Sequence, residues 1–322
     1  MKMKGPTVID LINNSKKPLF TFELLPPLKG HSIDRIYHTI EGLLEYSPAY
    51  INFTSHRNEE VLSERPDGLM EKRVTRKRPG TIALAAAVKY KYNVTVVPHL
   101  LCGGFTKEET ENVLIEMNFL GINDVLALRG DPPKGSRVFI AEKNGHRNTN
   151  ELVKQIADMN HGHYLDPELR NTAATSFCIG VAGYPEKHFE APNMKTDMLN
   201  LKLKVEAGAS YIVTQMFFDN SKFYAFRDAA RAAGINVPII PGIKPLSALT
   251  DMNLLPQTFH IDIPEDLVHE FSKCKSDEEA RETGIAWATE QSRDLLKNEV
   301  PGIHYYTLGR SDNIARIVKA SF

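Results

Sequence analysis

Cysteine is scarce in this chain of 322 residues, and the three present, Cys102, Cys178 and Cys274, show no C-x-x-C spacing. Neither a zinc site nor a disulfide framework is indicated. No H-x-H strand start and no H-E-x-x-H helix occurs, so the common metal-barrel hydrolase layouts lack support and no metal is expected. His161-Gly162-His163 falls in a connection and reads as loop. Long apolar runs are missing as well. Nothing approaches the ~20 residues that cross a bilayer, and the N-terminus, with Lys2, Lys4 and Asp10, has no signal-peptide core. These absences predict no membrane partner and a reducing, cytoplasmic setting. Neither sign of charge is in excess: 39 Lys and Arg face 40 Asp and Glu, for a net charge of −1. Such a balance offers nucleic acid no docking surface. The one basic run, Lys72 to Arg78, reads as a solvated loop or helix face beside which an anionic ligand could sit. There is no G-x-G-x-x-G after the first strand and no nucleophile elbow for a Ser–His–Asp triad.

What is present is an alternation. Strand-like runs occupy 18–25, 50–54, 94–98, 124–128, 177–182, 211–215, 237–240 and 302–307. Helical patterns fill 32–46, 81–92, 106–120, 150–159, 195–207 and 221–233, with a long helix opening at Ser276. Thr106 with Glu109, and Ser276 with Glu279, have capping-box spacing. Eight strands separated by helices describe a parallel barrel, because parallel neighbours need helical crossovers. A doubly wound sheet is the alternative, with usually fewer strands and a glycine fingerprint that is missing here. The expected fold is a single (β/α)8 barrel over 1–322.

Barrel enzymes carry their chemistry at the C-terminal strand ends. Those ends deliver Glu23, Thr54, His99, Arg129 with Gly130 and Asp131, Tyr184, Gln215, Pro241-Gly242 and Tyr306-Thr307. The run Asp124 to Asp131 brings a guanidinium, a glycine and a carboxylate together; its plain alternative is a strand-ending turn with an exposed ion pair. Glu23 lies within Phe22-Glu23-Leu24-Leu25-Pro26-Pro27, an apolar neighbourhood that favours the protonated acid. The alternative there is a core carboxylate paired with an arginine. A Schiff-base lysine has one nearby candidate, Lys244, which falls slightly late after its strand.

These residues resemble the methylenetetrahydrofolate reductases over nearly the whole chain. The matching segments are Phe20-Thr-Phe-Glu-Leu-Leu-Pro-Pro27, Pro98-His-Leu100, Ala127-Leu-Arg-Gly-Asp131 and Val181-Ala-Gly-Tyr-Pro-Glu-Lys-His188. Asp197-Met-Leu-Asn-Leu-Lys-Leu-Lys204, Ala207-Gly-Ala209, Thr214-Gln-Met-Phe-Phe-Asp219, Ile239-Ile-Pro-Gly-Ile243 and His304-Tyr-Tyr-Thr-Leu308 follow in the family's order. The resemblance implies an FAD-containing (β/α)8 barrel that reduces 5,10-methylenetetrahydrofolate to 5-methyltetrahydrofolate with a nicotinamide donor. It makes Glu23 the general acid and Asp131 a carboxylate near both flavin and pterin. Gln215 becomes a shared contact of folate and nicotinamide, and Arg310 a partner for the folate carboxylates. For FAD it points to Thr54, His99, Arg129, Gly130, Asp131, Thr149, Tyr184, His188, Asp197, Asn200 and Lys204. Asp197, Asn200 and Lys204 share one helix face, whose plain alternative is a surface ion-pair array.

The chain departs from the family pattern at Ser55-His56-Arg57-Asn58 and at Asn148-Thr149-Asn150, where Arg57 could add a phosphate contact. The adenosylmethionine-binding regulatory domain of longer eukaryotic relatives is not expected. The similarity favours NADH over NADPH and a homo-oligomer, although another donor remains open. The competing readings are another barrel oxidoreductase or lyase, and a flavin- or folate-binding module without chemistry.

Overall fold

The structure, a computed structural model, describes residues 5–57, 59–133, 136, 138–307 and 309–322. Lys2, Lys4, Asn58 and Leu308, named above, lie outside the described residues. In chain order come α1 (Val8–Asn14), β1 (Leu19–Leu24), α2 (Asp34–Leu44), β2 (Tyr50–Phe53), β3 (Glu59–Glu64) and β4 (Met70–Thr75). Then follow α3 (Thr81–Tyr92), β5 (Thr95–Leu101), α4 (Lys107–Phe119), β6 (Asp124–Leu128), α5 (Thr149–Asn160), β7 (Cys178–Gly183) and α6 (Met194–Glu206). The remainder is β8 (Tyr211–Met216), α7 (Asn220–Ala232), β9 (Ile239–Ile243), α8 (Asp251–Phe259), α9 (Glu265–Ser272), α10 (Asp277–Lys297), β10 (Gly302–Tyr306) and α11 (Ser311–Ser321).

Eight of these strands close into a parallel barrel in the order β1-β10-β9-β8-β7-β6-β5-β2. The (β/α)8 expectation holds. The basic run is corrected: residues 72–75 belong to β4, which pairs antiparallel with β3 in a hairpin inserted between β2 and α3. β9 runs on to Ile243, past the expected end at 240, so Lys244 follows the strand directly instead of falling late.

Local chemistry explains the ends of the helices. Thr106 Oγ1 accepts from Glu109 N at 3.2 Å while Glu109 Oε2 accepts from Thr106 N at 2.7 Å, a complete capping box for α4. At α10 the box is half made, since Glu279 Oε2 accepts from Lys275 N instead. Past α7, Gly234 takes φ +82°, a left-handed turn that costs a Cβ-bearing residue.

The pleat decides what each barrel strand shows to the inside. Phe20, Phe22 and Leu24 of β1 face the helices in the main core, whereas Leu19, Thr21 and Glu23 climb the interior. The lowest inward tier is apolar, with Leu19, Tyr50, Val97, Leu126, Tyr211, Val213 and Ile240 in one cluster. Each large side chain fully buried there is worth about 1.5–3 kcal/mol. Helix α1 closes this end: Val8 joins the cluster and its N–H donates to Asp124 Oδ1 at 2.8 Å. Burial drives the Asp124 carboxyl up to about 7. Glu23, His99 and His304 lie higher, towards the C-terminal mouth.

Candidate active site

A cavity of about 1790 Å³ opens at the C-terminal ends of the strands. Glu23, Thr54, His99, Arg129, Gly130, Asp131, Thr149, Tyr184, His188, Asp197, Asn200, Lys204 and Gln215 all line it, as do Ser55, His56 and Arg57. Arg310 does not. It lines an adjoining pocket of about 450 Å³ that shares Lys244, Phe259 and Tyr306 with the main cavity.

Glu23 is 8% exposed, yet its surroundings are neither apolar nor cationic in the way the sequence suggests. Its Oε2 lies 3.7 Å from His99 Nε2 and 3.7 Å from His304 Nε2, and no arginine among the described residues pairs with it. Burial pulls the His99 imidazole down to about 4 even though the Glu23 charge pulls it up. His99 is therefore neutral at neutral pH, and this contact is not an ion pair. Asn52 Nδ2 stands 3.3 Å from His99 Nε2; where Asn52 donates, the imidazole proton sits on Nδ1. His304 Nδ1 is 3.4 Å from Thr21 Oγ1, and its buried Nε2 has no hydrogen-bond partner among the described residues. Asn52 and His304 were not legible as site residues. The available signal was period two: each sits two positions below a strand-end residue, Thr54 or Tyr306.

Three adjacent strands build the opposite side. Tyr306 Oη donates to Thr214 O at 2.6 Å across β9. Gly242 makes this reach possible, because a Cβ there would fall 2.3 Å from Thr214 O and 2.7 Å from the Tyr306 ring. Between Val213 and Met216 the β8–β9 register shifts, a bulge that re-aims the strand end carrying Gln215. Gln215 Oε1 accepts from Met216 N at 2.9 Å, so the carboxamide is held by its own backbone.

The cationic wall comes from β6, the loop after β7, and α6. Arg129 does not pair with Asp131, as the plain reading of that turn has it. Its Nη1 lies 2.6 Å from Glu190 Oε2, and the guanidinium stacks 5.0 Å over Phe139. Lys204 donates to Ala182 O at 3.0 Å and sits 5.8 Å from the Tyr184 ring centre. Burial lowers its ammonium to about 8, against the pull of Asp197. Asp197 is itself buried and accepts from His188 N at 2.9 Å. The surface-array alternative for this helix face is thus excluded; that role falls to Lys202 and Glu206, 3.9 Å apart. His188 packs edge-on to Tyr184 at 4.7 Å and stacks with Phe189, which stacks on His260. Among the described residues, no group of three His, Cys, Asp or Glu side chains is arranged to hold a metal. No helix of the described residues is long and apolar enough to cross a membrane.

A sequence model of the family described as methylenetetrahydrofolate reductase matches residues 8–321. The chain is 30% identical over 296 residues to the 5,10-methylenetetrahydrofolate reductase of Salmonella typhimurium, covering 91% of this chain and 86% of that one. It is 29% identical over 306 residues to methylenetetrahydrofolate reductase 1 of Schizosaccharomyces pombe, covering 94% of this chain and 46% of the relative. The chain therefore spans about half the length of that fungal relative. Among solved structures, a Clostridium thermocellum protein described as binding two copies of 5-methyl-5,6,7,8-tetrahydrofolic acid matches with a TM-score of 0.62. It is 13% identical, covers 98% of both chains, and shares the fold.

Proposed function

We propose that this chain, which belongs to the methylenetetrahydrofolate reductase family, reduces 5,10-methylenetetrahydrofolate to 5-methyltetrahydrofolate with FAD and a nicotinamide donor. The observation that carries the reading is one cavity holding the buried Glu23 against one wall and Arg129, Lys204 and His188 along another. At about 1790 Å³ it exceeds the roughly 300–1,000 Å³ usual for a single small ligand. A dinucleotide and a second molecule fit such a space.

The residues present suit FAD. Thr54 Oγ1 and Arg57 Nη1 are buried polar atoms at the cavity wall without a hydrogen-bond partner among the described residues. Both are donors, as a flavin's carbonyls and a pyrophosphate require. Arg129, Lys204 and His188 supply positive or donor groups for the pyrophosphate, which removes the need for a glycine-rich loop. Asp197, Asn200, Tyr184, Thr149 and Gly130 complete the wall. When bound, FAD supplies hydride transfer between donor and folate in alternating half-reactions.

Glu23 delivers a proton from its carboxyl oxygen to the bridging nitrogen of the substrate's five-membered ring. That carbon–nitrogen bond breaks as the remaining nitrogen forms the iminium cation. Asp131 keeps a negative charge beside the cation, and Gln215 offers one carboxamide, able to donate and accept, to folate and nicotinamide in turn. Neutral His99 packs against Glu23 without drawing it into an ion pair. The reading extends to NADH as donor, methyl groups destined for methionine, a cytoplasmic homo-oligomer, and residues 1–322 as the catalytic barrel.

A visible spectrum before and after anaerobic NADH tests it. A flavin spectrum that bleaches with NADH and recovers on adding methylenetetrahydrofolate is expected. A protein that takes up no flavin when reconstituted with FAD refutes the reading.

A further inference from the structure

His304 is a fully buried imidazole at the main cavity to which the proposed reaction gives no task. It stands in β10 opposite Thr21 of β1, and Tyr306 stands opposite Glu23, so two neighbouring strands bring four inward side chains together. Its place is fixed. The Tyr306 ring meets the imidazole edge-on at 5.2 Å and 87°, and Tyr306 is itself tied through Oη to Thr214 O at 2.6 Å. Nδ1 lies 3.4 Å from Thr21 Oγ1. Nε2 lies 3.7 Å from Glu23 Oε2 and has no hydrogen-bond partner among the described residues. A buried ring nitrogen without a partner costs stability, so its place beside an acid needs a reason.

The two contacts together fix the tautomer. A hydroxyl donates and accepts, whereas a carboxylate only accepts. Thr21 therefore donates to Nδ1, and the imidazole proton sits on Nε2, facing Glu23. His99 presents the opposite polarity. Burial holds it neutral, down at about 4, and where Asn52 donates, its Nε2 turns a lone pair towards the same Oε2. Tyr306 also faces Glu23. Burial, with the Glu23 charge adding to it, raises that phenol, and its proton is spent on Thr214 O. Of these three rings, His304 is the one that offers Oε2 a donor.

We propose that His304 is the positioning residue of Glu23, its Nε2–H donating to Oε2 as the carboxyl gives up its proton. The inference rests on the folate reading above, in which Glu23 is the acid. The proton leaves Oε1 for the ring nitrogen of the substrate, and the O–H electron pair stays on the carboxylate. The imidazole keeps its own proton. The hydrogen bond therefore strengthens only as charge appears on Glu23, which favours the transition state over the resting acid. Moving the carboxyl by about 0.8 Å closes the contact to hydrogen-bond length, a tightening usual when substrate seats.

Stopped-flow absorbance of the FAD-loaded protein tests this with His304→Leu, His304→Gln and Thr21→Val, the first also combined with Glu23→Gln. Bleaching by NADH should keep the wild-type rate in every variant. Reoxidation by methylenetetrahydrofolate should slow about 10- to 100-fold in His304→Leu, the scale of a hydrogen bond to a charged group. His304→Gln, whose amide places an N–H near the same point, should recover most of that loss. Thr21→Val changes volume little and removes the donor to Nδ1, so it should slow the same step about 2- to 10-fold. In Glu23→Gln the His304→Leu change should add little, because no carboxylate charge then forms. Unchanged reoxidation in His304→Leu overturns the inference alone. Full additivity, equal slowing of both half-reactions, or no recovery in His304→Gln makes His304 a packing residue and does the same. If His304→Leu does not fold, Thr21→Val decides, and wild-type reoxidation there overturns the inference. A wild-type enzyme that cannot reduce methylenetetrahydrofolate overturns the folate reading and this inference with it.

Discussion

Replacing Glu23 by Gln isolates one proton. The side chain keeps its length and its hydrogen-bonding oxygen, both imidazole contacts are 3.7 Å long, and the one to His99 is no ion pair, because burial keeps that imidazole neutral. The barrel seam beside it is held by backbone: Thr307 Oγ1 donates to Glu23 O at 2.7 Å, a bond the substitution leaves in place. Stability should therefore change little. The cationic wall arises from β6, α6 and the loop between β7 and α6, so FAD content should match wild type. What disappears is proton delivery to the substrate. A positioned general acid contributes about 10²–10⁴-fold, or about 3–5 kcal/mol of barrier. Stopped-flow absorbance separates the consequences. Bleaching of the flavin by NADH should proceed at the wild-type rate, and reoxidation by methylenetetrahydrofolate should slow by two to four decades. Equal slowing of both half-reactions would show that Glu23 shapes the cavity instead of supplying a proton, and normal turnover would remove it from the mechanism.

Three further outcomes follow from the geometry. Lys204→Met should weaken FAD binding about 10- to 100-fold by titration of the apoprotein, the scale of a lost charge-assisted hydrogen bond. Because burial lowers the Lys204 ammonium to about 8, wild-type affinity for FAD should fall as pH rises through that value, and this slope should vanish in the variant. The sign is fixed: an anionic pyrophosphate stabilises the protonated amine, so raising pH removes the favourable partner. Gly242→Ala should lower the thermal midpoint by the equivalent of about 1–3 kcal/mol, because its Cβ meets the Thr214 carbonyl, which cannot swing away as a side chain could. A Gly242→Ala protein of unchanged midpoint would mean that the three strands relax more freely than their packing indicates.

The barrel was legible because its strands are buried runs separated by helices with readable caps, as at Thr106 and Glu109. The β3–β4 hairpin was not, since its strands are charged and its apolar Leu62 and Met70 are exposed. A signal did exist in Arg65-Pro66-Asp67-Gly68, a turn sequence whose Gly68 takes φ +79° while Arg65 N donates to Leu69 O at 2.8 Å. β5 runs through Pro98 to Leu101, although proline usually ends a central strand, and this drew His99 inside the barrel wall. The residues around Glu23 were the hardest to foresee. His304 reaches it only because β10 closes against β1, a pairing no local pattern announces. Arg129 and Glu190 likewise meet across two connections, so nearness in sequence made Asp131 the wrong partner.

The stacked inward tiers also bear on how such a protein can change. On β1, Leu19 at the base packs with α1, while Glu23, four residues on, faces the cavity. Substitutions of cavity-facing side chains such as Glu23, unlike one at the wedged Gly242, leave the base and its helical plug in register, so new chemistry can be sampled there with little penalty to folding. Substitutions at the base do the reverse. Each strand is in effect divided across its length into a half that drift can explore and a half that purifying selection must hold.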